Sequence, residues 1–337
     1  DEVEVGFEGR FFGNRINADV ALYNKKTDGS IISLALPNST GYGTIQGNYM
    51  DIENKGIEVA LGFVPIRTDD FSWNIDYTFT KNKNKVTSLP EGLDRVLINS
   101  AYNTSFYAEP GQPLGVFKAR KALVNNAGQT VVDPNTGIPV LTTDEETLGN
   151  SQRDFVMGLQ NTFKYKNFRL SFAFDWKEGG LMYSYTSRLL GFTGNSILTT
   201  YNNRNPFIVP NSVNDNGDGT YSENTTPISY SNVTGYYSAS NNPATEAENH
   251  LIDKTFVRLR DLSIAFNFPR SIIEKAGLNS LTLSVYGKNL MLWTPDDNPY
   301  VDPEVTSFGG NDLTTEFGEF AANPAQRTYG LALKMSF

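Results

Sequence analysis

The sequence predicts an all-β chain: an antiparallel transmembrane β-barrel segment with short turns at one end of the strands and long loops at the other. Three observations predict it. Apolar and polar residues alternate strictly over stretches of about ten residues, which in a strand places one set on each face. The connections alternate between short and long. The apolar face is heavily aromatic, with 22 Phe and 17 Tyr among 337 residues.

The strands follow in order. Val3 to Phe11, Ile16 to Tyr23 and Ile57 to Phe63 alternate first. Phe71, Trp73, Ile75, Tyr77 and Phe79 then oppose Ser72, Asn74, Asp76, Thr78 and Thr80. Phe155, Met157, Leu159, Phe163 and Tyr165 oppose Val156, Gly158, Gln160, Thr162 and Lys164; Phe168, Leu170, Phe172, Phe174 and Trp176 oppose Arg169, Ser171, Ala173, Asp175 and Lys177. Leu262 to Phe268 alternates, but Val257 and Leu259 sit in the opposite phase, which a bulge near Arg260-Asp261 accounts for. Leu281 to Val285 follows. Tyr329, Leu331, Leu333, Met335 and Phe337 close the chain on one face, with Thr328, Gly330, Ala332, Lys334 and Ser336 on the other. These make about nine strands of about 10 residues; each rises roughly 33 Å, and a tilt near 40° brings the span to about 25 Å, the height of an outer-membrane apolar band.

Short connections are expected at Phe12-Gly13-Asn14, Arg67 to Asp70 and Lys166-Asn167, with a helical turn at Ser271 to Lys275 ending at Gly277. Long loops are expected at about Lys25 to Asp51, Lys81 to Arg153, Gly179 to Lys254 and Thr294 to Pro324. Asn125 to Gly128 and Asp133 to Gly137 read as turns of a small hairpin in the second loop, and Asn214 to Gly219 as another turn. Alternation alone does not say which face meets water. Aromatics near strand ends tip the balance toward a lipid-facing apolar side, as interfacial girdles: Phe11, Phe12, Phe71, Trp73, Tyr165, Phe168 and Phe268 beside the short turns, Tyr23, Trp176 and Trp293 toward the loops. Glu2, Glu4, Gly6 and Glu8 suit a hydrated lumen.

Composition excludes much else. A formal charge of −9 argues against a nucleic-acid partner, whose phosphates would repel the chain. Without Cys there is no disulfide or thiolate metal site. The only His, His250, reads as a solvated loop residue in Glu246 to His250, with no nucleophile motif around it. The pair Asp296 and Asp297 could serve a glycosidase, but acidic loop turns are far commoner, so no enzyme and no cofactor are expected. Asn214 to Gly219 has oxygen ligands at alternate positions, yet Glu223 comes too early for the distal calcium ligand. Asp296, Asp297, Asp302 and Glu304 read as either a cation site or a salt-bridged loop, and no metal is expected at either place. Substrate contacts are expected in the loops and upper lumen, where Tyr201, Asn202, Asn203, Arg204, Tyr236, Tyr237 and Trp293 offer stacking faces and amide groups; loop packing explains them equally well.

Several stretches resemble the SusC-like TonB-dependent transporters of the outer membrane. They are Glu2 to Phe12, Asn54-Lys55-Gly56-Ile57-Glu58, Phe256-Val257-Arg258-Leu259-Arg260-Asp261-Leu262, Asp296 to Glu304, Gly287-Lys288-Asn289-Leu290, and Pro324 to Gly330. The resemblance spans residues 1–337 and implies the C-terminal part of a 22-stranded, plugged barrel, with the plug and the TonB-contacting segment outside this chain. It further implies import of glycans or peptides across the outer membrane of a Gram-negative bacterium. The implied partners are outer-membrane lipid, a SusD-like surface lipoprotein, the TonB energy-coupling system and the barrel-insertion machinery, for which Tyr329 to Phe337 resembles the assembly signal. A scaffold role in a larger outer-membrane complex and a soluble carbohydrate-binding β-domain are the rival readings.

Overall fold

The computed structural model describes residues 1–229, 236–237, 249–306 and 313–337. Nine strands form one antiparallel meander: β1 Glu2–Phe11, β2 Ile16–Ala35, β3 Thr44–Arg67, β4 Phe71–Ser88, β5 Phe155–Tyr165, β6 Phe168–Glu178, β7 Phe256–Asn267, β8 Ser280–Trp293 and β9 Thr328–Ser336. Each strand pairs only with its sequence neighbours, so β1 and β9 are the two open edges and the sheet is not closed.

Register carries the alternation across the sheet. Trp73 and Leu170 both lie opposite Phe163, and Phe168 lies opposite Phe266. The rings meet across strands, Trp73 and Phe163 stacking at 5.4 Å and Phe168 meeting Phe266 at 4.7 Å. On the other face Asn82 and Asn84 both donate to Asn54 Oδ1 at 2.9 Å, and the hydroxyls of Thr162 and Ser171 lie 3.1 Å apart. One residue breaks the pattern. Asn161 points to the aromatic side between Leu159 and Phe163, where it is buried and accepts a 3.0 Å bond from Trp73 Nε1. An amide on an apolar face needs such an internal partner.

The expected bulge is present: register slips between Leu259 and Asp261 against β8, where Asn289 takes a positive φ of 52°. A second slip, between Phe63 and Ile66, falls at Pro65, which cannot donate to the ladder. Two glycines are set by neighbouring rings. A Cβ at Gly56 would lie 2.4 Å from Tyr23 Cζ, and one at Gly330 would lie 2.4 Å from Tyr286 Cζ. Tyr23 therefore belongs to the polar face, where it also donates to Asn82 at 3.1 Å, and not to the outward girdle expected of it.

The first long loop is also corrected. Residues 25–51 are mostly hairpin, because β2 and β3 run on to Ala35 and from Thr44, and β4 likewise extends to Ser88. The remaining connections build a crown beyond the strands. Val96–Ala101, Thr104–Ala108, Val116–Ala119 and Glu146–Asn150 form a four-stranded sheet. Thr130–Val132 pairs in parallel with Ser212–Asp215, and Leu181–Ser184 pairs in parallel with Gly318–Glu319, so the loops are knitted to one another. Phe106, Phe117, Tyr183 and Phe317, drawn from three loops, share one buried core. The expected turns hold: Gly128 N bonds Asn125 O, Gly137 N bonds Asp133 O, and Asn216 N bonds Thr220 O. So does the helical turn after β7, Arg270–Ile273 continuing through Glu274–Ala276 to Gly277 at φ 72°.

Candidate functional site

The polar face ends, at the loop side of β6, β7 and β8, in a cluster of opposed charges. Strand parity puts Asp175, Lys177 and Arg258 on that face, and the bulge after Leu259 turns Arg260 the same way. The final loop meets them with Asp302 and Glu304. Arg258 is buried and donates to Asp302 through Nη2, while Arg260 Nη2 reaches Asp175 at 2.6 Å and Glu304 at 2.8 Å. Lys177 Nζ adds a third cation to Glu304 at 2.8 Å. Burial would raise the Glu304 carboxyl, but hydrogen bonds from Lys177 and Arg260 hold it below the usual carboxylate range. Of the two readings of these acids, the salt-bridged loop is the one present. Asp297 stands apart, accepting a 3.4 Å bond from the backbone of Asp253.

Around this cluster, cations tie the other loops down. Arg153 donates through Nη1 to the carbonyls of Gly179 and Lys254, and through Nη2 to Pro303 O at 3.4 Å. Lys254 is buried with Nζ 2.9 Å from Glu316, and burial lowers its pKa more than that carboxylate restores it. Glu319 is the matching anchor among acids: fully buried, it accepts from Ser184 Oγ, Thr186 N, Thr186 Oγ1 and Ala322 N at 2.7 to 3.1 Å. Arg153, Lys254 and Glu319 escape a reading of the sequence, because the partners that join them to other loops lie between 26 and 150 residues away.

The expected substrate contacts divide. Tyr201, Asn202 and Arg204 share the segment Ile197–Arg204, which Asn202, Asn203 and Arg204 turn with three successive positive φ angles. Tyr201 meets Phe207 at 4.7 Å, Phe207 meets Tyr236 at 5.1 Å, and Tyr236 meets Tyr237 at 5.1 Å. Tyr236 packs with Val132, Val209 and Ile228, which makes it core, whereas Tyr201 keeps a free face. Asn202 Nδ2 donates to Pro206 O at 2.9 Å and Arg204 Nη1 to Gly194 O at 2.9 Å, so both also serve the local turn. Trp293 is elsewhere, at the end of β8 beside Phe174 on the apolar face.

His250 is not the solvated residue expected. It is buried, its Nδ1 3.1 Å from Ser187 Oγ, and burial together with nearby Arg188 lowers its pKa to about 4. Residues 246–248 beside it lie outside the described residues. The contact is a buried hydrogen bond between Ser187 and His250.

Comparisons with known proteins bear on the whole assembly. Residues 1–138 match the family model for a TonB dependent receptor-like β-barrel. TonB-dependent receptor P3 of Formosa agariphila is 28% identical over 364 residues, covering 100% of this chain and 34% of the relative. TonB-dependent receptor SusC of Bacteroides thetaiotaomicron is 28% identical over 181 residues, half of this chain and 18% of that protein. The RagAB peptide transporter superposes over 100% of the chain and 35% of its own, with a TM-score of 0.68 at 15% identity, a likeness of fold. The chain thus spans about a third of the length of the receptors it matches. Those names are of receptors and a transporter, in keeping with the expectation of no enzyme. Strand order, register and relatives agree: the chain resembles a stretch of TonB-dependent receptor-like β-barrel, and SusC is among the proteins it is similar to.

Proposed function

We propose that the chain forms the C-terminal part of an outer-membrane barrel that imports a nutrient, glycan or peptide, as the barrel of a SusC-like transporter. The observation that carries this reading is the outward face of the wall. Phe7, Phe168, Ile264 and Leu331 stay more than half exposed along strands whose opposite face is polar. Large apolar side chains arrayed this way are stable against hydrocarbon, and a water-filled lumen accepts the other face. In this reading the strands cross the membrane as a multi-pass wall with the crown outside the cell.

Relatives about three times as long supply room for further strands, a plug and a TonB-contacting segment elsewhere in the polypeptide. The crown would carry a SusD-like lipoprotein lid. Tyr201, Asn202, Arg204, Tyr236 and Tyr237 remain the proposed substrate contacts, with Trp293 a weaker member because of its place on the apolar face. Tyr329, Leu331, Leu333, Met335 and Phe337 would present the insertion signal: they are exposed along the outer side of β9 and just past its end.

The test is uptake. Cells lacking the full-length receptor should lose import of either labelled oligosaccharides or labelled oligopeptides and regain it with the gene restored, and the tagged receptor should copurify with a surface lipoprotein in detergent. Unchanged uptake of both classes would overturn the import reading.

A further inference from the structure

The outward face of β2, β3 and β4 changes character abruptly beyond its last apolar row. Leu22, Ile57 and Phe79 close the apolar band, with Leu22 opposite Ile57 and Val59 opposite Phe79. Two residues further along the same face stand Lys81, then Lys83 and Lys85, alternating with inward Asn82 and Asn84. Register sets Lys55 directly opposite Lys83, and Lys26 opposite Glu53. Five lysines and one glutamate thus share a patch three strands wide on a chain whose net charge is −9. Glu53 is already engaged with Lys55 at 2.9 Å. Lys81, Lys83 and Lys85 are exposed and form no ion pair or side-chain hydrogen bond among the described residues.

Like charges directly opposite and two apart on one face of a sheet repel one another. Glu53, opposite both Lys26 and Lys85, offsets one of the five lysines, and the patch keeps an excess of positive charge that an outside anion would neutralise. Lysines also discourage pairing at a free strand edge, but that purpose needs no common face. Height decides the source. From Phe71 to Phe79 the outward residues of β4 cover roughly 20 Å along the membrane normal at a tilt near 40°, which sets Lys81 at the level where headgroup phosphates begin. We propose that this patch is a docking site for the phosphate-bearing headgroup of a membrane lipid in the leaflet beside the crown. A groove of about 390 Å³ beside Lys81, Lys83 and Lys85, lined also by Asn82, Asn84, Arg153 and the acidic Asp154, offers the headgroup a seat next to the lysines.

The inference rests on the membrane reading, and one experiment separates the two. The full-length receptor is reconstituted in nanodiscs of phosphatidylcholine and phosphatidylglycerol in equal parts, re-extracted, and its retained lipids are counted by mass spectrometry. Wild type should retain phosphatidylglycerol in preference. The K81Q/K83Q/K85Q variant should lose about fivefold in that preference for each lysine removed at low salt, while K81R/K83R/K85R and the short-turn control Lys166→Gln keep it. Heat-modified gel mobility reports that each variant is folded. Equal retention by wild type and the glutamine variant would overturn the site, as would inorganic phosphate at matched ionic strength abolishing the preference. Failure of the receptor to enter nanodiscs at all would instead overturn the membrane reading.

Discussion

The wall and the crown treat the same kind of side chain in opposite ways. Phe168 and Leu331 lie 55% and 74% exposed in the wall, while Phe117 and Phe317 lie at 0% in the crown. Strand structure alone is not the cause, since Phe117 lies in a strand just as Phe168 does. The crown folds onto itself and removes its rings from water in the ordinary manner of a globular core. The wall is one layer thick, so its rings meet only neighbours on the same face and stay open on their outer side, where the proposed membrane would act as a second solvent. That contrast is the lesson of the comparison, and substitutions in each region can break it.

The largest effects belong to the crown and its attachment. Phe117→Ala should cost about 3–5 kcal/mol by removing a ring packed at 4.7 Å on Phe106. Limited proteolysis should then cut within residues 89–154 while the wall stays protected; cleavage unchanged from wild type would mean the loops do not share a core. Arg258→Ala leaves Asp302 buried without its partner, a change worth about 3–5 kcal/mol. It should release the final loop, read as new protease sites between residues 294 and 327.

In the wall, Phe172→Arg should cost about 2–4 kcal/mol if that ring lies against hydrocarbon near the midplane. Detergent-folded protein with unchanged heat stability would remove the distinction between the two regions.

The wall was legible in the sequence because period-two alternation is local: Phe163 and Trp73 announce their face without knowing each other. Even the bulge at Arg260 could be placed, since Val257 and Leu259 are visibly out of phase with Leu262. The crown was not legible. Its strands are only two to six residues long, as at Gly318–Glu319 and Val96–Ala101, too short for a period to register. Its cores join Phe106 to Phe317 across more than half the chain. His250 shows the cost of reading a loop residue by its neighbours: Glu246, Glu248 and Asn249 suggest solvent, whereas Ser187, 63 residues away, completes its burial. The candidate site was read in part: the acids of the final loop were offered as either a cation site or a salt-bridged loop, Asp302 and Glu304 are salt-bridged, and their cations were left unassigned.

A titration should separate the regions again. His250 has its pKa lowered to about 4 against about 6.5 when unfolded, so the unfolded chain takes up a proton that the folded crown refuses. Stability from this group is complete above about pH 6.5 and falls by up to roughly 3 kcal/mol as pH drops toward 4. His250→Gln should flatten that slope in crown proteolysis and leave wall melting unaltered. A slope that survives the substitution would assign the acid sensitivity to other groups.

The smallest effect probes how the wall's last strand is held. At Gly330 the ring of Tyr286 occupies the space a side chain would take, with a Cβ only 2.4 Å from Cζ. Gly330→Ala forces that ring off β9 on the polar face, and overpacking of this kind costs about 1–3 kcal/mol. The loss should appear as faster hydrogen exchange confined to Thr328–Ser336, with crown exchange unchanged. Tyr286→Ala combined with Gly330→Ala should recover part of the loss, since the alanine then has room. If the double variant is no better than the single one, the ring and the glycine are not a fitted pair, and backbone pairing alone holds the final strand.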